Sequence, residues 1–238
     1  MAEVREFPQP RHSDLGRERR LLRLLQLSSP TLPTGAFTYS QGLEWAVHAG
    51  WVTDYPSFAD WLSGIVDSAM VSLELPILRR LYDACKSGDH VALKQWSDVL
   101  YASRETAELR AEELNRARAL TTLIRDLGVR GASQWEATMR SCHLAPFACA
   151  AVDWDIAIED CAIGYAWGWL ENQTAAGVKL IPLGQTDGQR VQLHLADALA
   201  QAVQRSRDVD NDAIGASAPI AAFSSVAHET LYSRLFRS

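Results

Sequence analysis

The hydrophobic positions along this chain repeat with the spacing of amphipathic helices. Apolar side chains recur at i, i+3, i+4 and i+7, which places them on one face of a helix. The segments with this character lie at 21–27, 58–69, 78–85, 93–100, 107–127, 158–169 and 191–202. No segment shows the two-residue alternation and tight turn pairs of β-hairpins. The pattern predicts an all-α fold, a single-domain bundle of about eight to ten helices with a C-terminal docking tail.

Residues that start or stop helices separate these segments. Pro30 ends the first helix, because proline disfavours helical backbone in the residue before it, and Pro76 restarts or kinks the long second helix. Asp89 is placed to cap the helix that follows. Gly164 and Gly168 lie one turn apart and predict a close approach by another helix. Two capping-box patterns predict the starts of later helices, Ser133 with Glu136 and Thr186 with Gln189.

The helical segments fall within one predicted domain, with a short segment on either side. Residues 1–18 mix charges with prolines and are predicted to be a flexible leader. Residues 19–206 form the all-α domain, and residues 207–238 form a spacer and a C-terminal partner-binding tail. Within the domain, oppositely charged residues four positions apart predict a solvated helix face, the pairs being Arg104–Glu108 and Glu112–Arg116.

Composition narrows the class of protein. The chain has 238 residues, of which 47% are hydrophobic and 22% charged, as in globular proteins rather than disordered ones. Its net charge of −6 supplies no broad basic surface for nucleic acid, and no uncharged stretch approaches the roughly 20 residues of a membrane span. The four cysteines form no CxxC pair and nothing at the N-terminus resembles a secretory signal. These features predict reduced thiols in a cytoplasmic protein.

Sequence motifs for catalysis are missing. The phosphate-binding GxxxxGKS/T, the dinucleotide-binding GxGxxG and the hydrolase GxSxG do not occur, and an HExxH match that begins at His228 fails at Tyr232. Cys142, His143 and Cys149 suit a soft-metal site. Cys149 is also available to pair with His143 or His228 as a hydrolase dyad. Cysteines in apolar helices are more often packed as small hydrophobic residues, which is the interpretation we favour.

Two other segments allow either a structural or a binding role. Lys179 follows a predicted helix end, where a cation either stabilises the helix terminus or binds a partner. The last eleven residues, HETLYSRLFRS, combine apolar and aromatic side chains with two arginines. Such a tail either folds back on its own domain or docks into a partner, and we favour docking.

Three segments of the chain are distinctive in combination: SSPTLPTGAFTYSQGLE at 28–44, GVKLIPLGQTDGQ at 177–189 and HETLYSRLFRS at 228–238. Together they resemble the urease accessory protein F family. Thr34, Thr38 and Gln41 depart from the valine, serine and glutamate that are common in that family. The matched positions are Pro30, Pro33, Gly35, Tyr39, Ser40, Gly42, Leu43, Glu44, Lys179, Pro182, Gly184, Gln185, His228, Glu229, Ser233, Arg234, Leu235, Phe236, Arg237 and Ser238.

The resemblance implies a non-enzymatic, cytoplasmic homodimer that acts through its partners. Its tail would bind urease accessory protein D, also called H, and the two would recruit the GTPase accessory protein G to deliver nickel to apo-urease. Nickel and GTP would be handled by those partners, with no cofactor, nucleic acid or membrane bound by this chain. The predicted partner-binding residues are the matched positions other than Leu43 and Ser238. The alternatives are a cysteine-dependent hydrolase and a helical adaptor of an unrelated complex.

Overall fold

Helices account for all the regular structure in the described part of the chain, with no strand in it. The computed structural model describes residues 14–215 and 218–238. A π-helical segment, Val66–Glu74, joins the helices Tyr55–Ile65 and Leu75–Ser87 into one continuous helix. The described residues therefore form ten separate helices. The predicted all-α single-domain fold is confirmed. The helices are α1 (Asp14–Ser28), α2 (Leu43–His48), α3 (Tyr55–Ile65), α4 (Leu75–Ser87), α5 (His90–Ala102), α6 (Ala107–Asp126), α7 (Glu136–Met139), α8 (Leu144–Asp153), α9 (Ile158–Leu180), α10 (Gln185–Arg205) and α11 (Pro219–His228).

The core forms where α4 packs on α8 and where α9 packs on α10. α8 is buried from Leu144 to Ala151, because no charged residue occurs in it before Asp153. The continuous helix Tyr55–Ser87 is long and apolar enough to cross a membrane, but 67% of its most apolar window is buried inside the domain. That degree of burial is typical of the core helix of a globular fold.

Pro76 changes the hydrogen bonding of this continuous helix without ending it. Its ring nitrogen has no proton to donate to the carbonyl of Ser72, four residues earlier. That carbonyl accepts instead from the Gly215 amide at 3.2 Å. The π-helical turns directly before Pro76 widen the helix where the proline ring needs room. Where the sequence predicted a restart or a kink, the structure therefore has a continuous helix with a π-helical segment.

The two glycines of α9 allow α1 to approach closely, as predicted. A Cβ on Gly164 would come within 2.5 Å of Leu24, and one on Gly168 within 3.0 Å of the main-chain oxygen of Ser28. At Gly164 the Leu24 side chain would have to move, and at Gly168 the main chain of α1 would have to shift by a few tenths of an ångström. The close helix contact read from the glycine spacing is confirmed.

Each of the two segments predicted to flank the domain contains helical residues. α1 begins at Asp14, before the predicted domain start at residue 19, and residues 1–13 of the predicted leader lie outside the described residues. The predicted spacer and tail contain a further helix, α11, which begins with Pro219 in its first turn. Proline suits that position because its missing N–H would have no helical partner there. The run of small residues in α11 has no charged face, so its helical period was not recognised.

Of the three predicted caps, only Asp89 is confirmed: its side chain accepts from the Ala92 amide at 3.0 Å. The Ser133–Glu136 capping box is wrong, because α7 begins without any side-chain cap. The Thr186–Gln189 box is wrong by two residues, since α10 begins at Gln185 with Gly184 as its N-cap. In both cases the helix exists and only its first residue differs from the prediction.

The charged residues around α6 are buried rather than solvated, which corrects the prediction for this face. Glu112 and Arg116 do form the predicted pair, at 2.8 Å, but Glu112 is 4% exposed. Arg104 precedes α6 and does not pair with Glu108. The i, i+4 spacing therefore identified residues that share a face, but that face packs against the protein.

Arg104 instead belongs to a cluster that we call the buried ion network: Glu74, Arg104, Glu113, His143 and Tyr165. Arg104 pairs with Glu74 at 2.6 Å and with Glu113 at 2.8 Å. Glu113 also accepts from the His143 amide at 2.6 Å and lies 2.8 Å from its ring Nδ1. Tyr165 donates its hydroxyl to Glu74. The network joins four helical segments of the core.

The buried ion network holds its carboxylates in the ionised form. Burial alone would raise the pKa of Glu113, but His143 and Arg104 outweigh it and hold that pKa far below its ordinary range. The pKa of Glu74 is also lowered, since Arg104 and His143 outweigh the effect of burial. Burial and the charge of Glu74 raise the pKa of Tyr165, which therefore keeps the proton that it donates.

A disulfide between Cys85 and Cys149 joins α4 to α8 and corrects the expectation of four reduced thiols. The two residues are 64 positions apart in sequence, and the packing of the two helices brings their Cα atoms to 5.4 Å. The two cysteines do not have the CxxC spacing that would have indicated this pair in the sequence. Cys142 and Cys161 are free and buried, as expected for cysteines packed as small hydrophobic residues. Burial raises the pKa of both thiols.

Candidate partner-binding surface

The loop between α1 and α2, residues 29–42, contains three residues in left-handed conformation. Gly35, Gln41 and Gly42 have φ values of 74°, 54° and 85°, a region that glycine adopts without strain. A Cβ on Gly42 would come within 2.9 Å of the Ser224 Cβ. Glycine at this position therefore lets α11 pass directly over the loop.

The tail, residues 229–238, folds back on this loop. The Ser40 amide donates to the main-chain oxygen of Ser238 at 2.7 Å, and the Arg237 amide donates to the Thr38 carbonyl at 2.9 Å. The Ser40 hydroxyl also donates to Ser238. Of the two roles left open for the tail, the structure shows the fold-back on its own domain, and docking into a partner stays a prediction. We call the two segments together the loop–tail surface.

Glu44 anchors the tail from the first turn of α2. Its carboxylate accepts from the amides of Leu235 at 2.6 Å and Phe236 at 2.9 Å. One oxygen also lies 3.1 Å from His228 Nε2, and the other ring nitrogen of His228 lies 2.7 Å from Glu108. Hydrogen bonds to a carboxylate are stronger than those between neutral groups. Glu44 is therefore the main polar anchor of the tail.

Gln41 connects the loop to the core helices. Its amide donates to Glu112 at 2.9 Å, and its oxygen accepts from Trp169 Nε1 at 3.0 Å and Gln173 at 3.2 Å. Glu112 also lies 3.4 Å from the Ser238 hydroxyl. The sequence marks Gln41 only as a departure from the family pattern, so its part in the site was missed.

Glu108 and Glu112, one turn apart on α6, are the other site residues that sequence reasoning missed. Besides His228, Glu108 pairs with Arg234 of the tail at 2.6 Å. The available signal was their i, i+4 spacing, which places both carboxylates on one helix face. Assigning that face to solvent concealed its role in holding the basic tail.

Lys179 contacts the tail as well. It lies inside the last turn of α9, whereas the sequence predicted a position after the helix end. Its Nζ is 5.7 Å from the centroid of the Phe236 ring, within range of a cation–π interaction. Phe236 itself is only 6% exposed, so the tail buries this aromatic side chain in its own domain. The partner-binding role of Phe236 stays a prediction, and in this conformation its ring is packed in the domain.

The predicted partner-binding residues separate by exposure into three groups. The buried ones build the surface from within: Tyr39, Ser40, Gly42, His228 and Phe236. Two are half-buried, Gly35 and Glu44. The exposed ones are Pro30, Pro33, Lys179, Pro182, Gly184, Gln185, Glu229, Ser233, Arg234, Leu235 and Arg237. In this conformation the exposed residues face solvent, and the buried ones pack within the domain.

The side chains considered for a metal site or a hydrolase are engaged elsewhere. Cys149 is part of the disulfide, and the ring of His143 lies between Glu113 and Tyr165. The imidazole of His228 lies between the carboxylates of Glu44 and Glu108. The Cys–His dyad and the site of Cys142, His143 and Cys149 are therefore wrong. Within the described ranges, no group of three or more His, Cys, Asp or Glu residues is placed to hold a metal ion.

Comparison with known proteins agrees with these features. The UreF family model matches residues 52–196. Urease accessory protein UreF of Alcanivorax borkumensis is 45% identical over 222 residues, which cover 91% of this chain and 97% of that protein. The proteins of the same name from Pseudomonas putida (strain W619) and Klebsiella pneumoniae are 45% and 42% identical over 218 and 217 residues, covering 92% and 91% of this chain and 97% of each relative. The chain therefore belongs to the UreF family of urease accessory proteins and is an accessory protein, not a catalytic enzyme.

Proposed function

We propose that this chain is a non-catalytic scaffold for urease maturation. With urease accessory protein D, also called H, it recruits and regulates the GTPase accessory protein G for the insertion of nickel into apo-urease. The observation that supports this most directly is the convergence of the loop, Lys179 and the tail on one surface. Segments far apart in sequence meet there to form an ordered, exposed surface, which is what recognition of a partner requires.

The exposed side of the tail is the surface that we assign to accessory protein D. Leu235 is 65% exposed and Tyr232 is fully exposed, while Phe236 between the tail and the domain is buried. Arg234 and Arg237 lie beside these apolar side chains. Apolar anchors with arginine at the rim are typical of the energetically important part of a protein interface. Because the tail is already ordered on the loop, association does not carry the full entropic cost of ordering it.

We assign the turn between α9 and α10 to the GTPase. Pro182, Gly184 and Gln185 are exposed in this turn, directly after Lys179. The Lys179–Phe236 contact joins the turn to the tail, so that the two partners would sit side by side. In this proposal nickel and GTP are bound by the partners. The scaffold acts as a cytoplasmic homodimer, and light scattering would measure the mass of that dimer.

A leucine substitution tests the tail assignment without removing the tail. Leu235→Ala should weaken binding of accessory protein D by about tenfold or more in calorimetric titration, the effect of losing an interface hot spot. The matched control is Leu193→Ala, since Leu193 is 79% exposed on α10, away from the loop–tail surface. Both variants should melt at the wild-type temperature. Equal affinity of the two variants for accessory protein D would refute the assignment.

A lysine substitution separates the two partners. Lys179→Ala should still bind accessory protein D but fail to retain the GTPase in size-exclusion chromatography with GTP. Lys94→Ala is the control, because Lys94 is an exposed lysine on α5 that pairs only with Asp98 of its own helix. If the Lys179 variant retains the GTPase as wild type does, Lys179 serves the stability of α9 and the tail only.

A further inference from the structure

We propose that Cys85 and Cys149 form a reversible thiol–disulfide exchange site, open to small thiols of the glutathione class. Both cysteines line a surface cavity of about 300 Å³ at the contact between α4 and α8. The cavity gives a small thiol a route to the sulfur atoms that the helix packing alone would close. This inference is independent of the accessory function proposed above.

The four cysteines differ in access, and only this pair is reachable. Cys85 is 9% and Cys149 3% exposed, whereas Cys142 and Cys161 are fully buried. A reactive cysteine needs both a route for the reagent and surroundings that favour the thiolate. Cys142 and Cys161 have neither, because burial also disfavours their thiolates. Exchange is therefore confined to the disulfide-bonded pair.

The charges around the cavity favour the exchange. Lys86 and Arg130 line it together with the two cysteines, and Asp153, which also lines it, forms an ion pair with Arg130. These three side chains leave one net positive charge on the lining of the cavity that the two cysteines share. Positive charge near a disulfide attracts an incoming thiolate and stabilises the thiolate that leaves.

The exchange has two balanced steps. The thiolate of a small thiol attacks the sulfur of Cys85, the more exposed of the two; the Cys85–Cys149 bond breaks, and Cys149 leaves as a thiolate that takes up a proton. A second small-thiol thiolate then attacks the mixed disulfide at the sulfur of the first small thiol. The products are two cysteine thiols and one small-molecule disulfide. The reverse sequence restores the protein disulfide and reduces the small-molecule disulfide.

Exchange would change the covalent restraint on the helix that carries the loop–tail surface. The disulfide closes the stretch of chain that contains α5, α6 and α7. α6 carries Glu108 and Glu112, which hold the tail and the loop. Reduction removes the covalent restraint at the base of that stretch, while the packing of α6 on α8 remains.

The test uses the full native chain in glutathione buffers of graded potential. Samples are quenched with acid, denatured, alkylated and weighed by mass spectrometry. We expect the number of alkylated cysteines to rise from the two free ones to all four in a single transition, while circular dichroism shows the native helix content throughout. Alkylation of the reduced native protein should label Cys85 and Cys149 but not Cys142 or Cys161.

A charge variant tests the role of the cavity. Arg130→Gln should slow reduction by about fivefold, the effect of removing one nearby positive charge, whereas Arg118→Gln, at an exposed arginine on α6 outside the cavity lining, should not. The proposal is overturned if the disulfide resists reduction until the protein unfolds. It is equally overturned if four free thiols persist in oxidised glutathione, or if the Arg130 and Arg118 variants react at the same rate.

Discussion

The buried ion network and the loop–tail surface both use carboxylates to join distant parts of the chain, but their surroundings differ. In the network Glu113 is 2% exposed, and its partner Arg104 has an 11% exposed side chain. In the loop–tail surface the side chains of Glu44 and Glu108 are 11% and 12% exposed, and most of the tail faces solvent. Removing Glu113 therefore leaves charged partners inside the core, whereas removing Glu44 mainly frees the amides of a tail that water can reach.

The carboxylates of the two clusters also accept hydrogen bonds from different kinds of donor. In the network most contacts join side chain to side chain, and one main-chain amide, that of His143, also donates to Glu113. The tail has no regular structure, so its amides need partners from outside, and Glu44 accepts from two of them. The network therefore supports the whole fold, whereas the surface contacts set the local order of the tail.

The largest expected effect comes from breaking the network. Glu113→Ala removes a partner of Arg104 and of His143 and leaves a buried guanidinium with one carboxylate. We expect the free energy of unfolding, measured by urea denaturation, to fall by about 3–5 kcal/mol. Glu105→Ala is the control, at an exposed neighbouring position where surface substitutions change stability by less than about 0.5 kcal/mol. A loss below about 1 kcal/mol for Glu113→Ala would contradict the structural role of the network.

A smaller effect concerns pH. The pKa of Glu113 in the folded protein lies far below the roughly 4.3 of an unfolded glutamate, so its contribution to stability is complete above that value. The contribution is lost as the pH falls through that range towards the folded pKa, by up to about 1.4 kcal/mol per pH unit for one group. Glu113→Gln cannot titrate at this position. Its free energy of unfolding should therefore fall less steeply than that of wild type below about pH 4.5, and parallel slopes would show that Glu113 does not contribute.

The helices of the fold were predictable to the extent that one face of each is apolar. The pattern at 158–169 identified α9, and Gly164 and Gly168 correctly predicted the approach of α1. The same reasoning missed α11, because its run of alanine and serine has no polar face to define a period. It also placed the charged face of α6 in solvent. Spacing tells which residues share a helix face, but only the packing of other helices tells whether that face is buried.

The candidate site was predictable in membership but not in arrangement. The family resemblance named Glu44, His228 and Phe236 as partner-binding residues without bringing them together, and the structure places them in contact. It did not show that His228 and Phe236 are buried within the chain's own domain, because contacts between residues almost two hundred positions apart leave no local signal. The Cys85–Cys149 disulfide was missed for the same reason.

The smallest effect on overall stability is expected at Glu44. Glu44→Ala removes the acceptor of the Leu235 and Phe236 amides, so these amides should exchange with deuterium about 10- to 100-fold faster, as expected for the loss of hydrogen bonds to a charged group. The control is Glu229→Ala, which removes only a bond from the Ala107 amide. Exchange in α8 should stay at the wild-type rate in both variants, whereas Glu113→Ala should raise it there. If Glu44→Ala raises exchange in α8 as well, the tail is part of the global folding unit, and the distinction between a network that supports the fold and a surface that orders one segment fails.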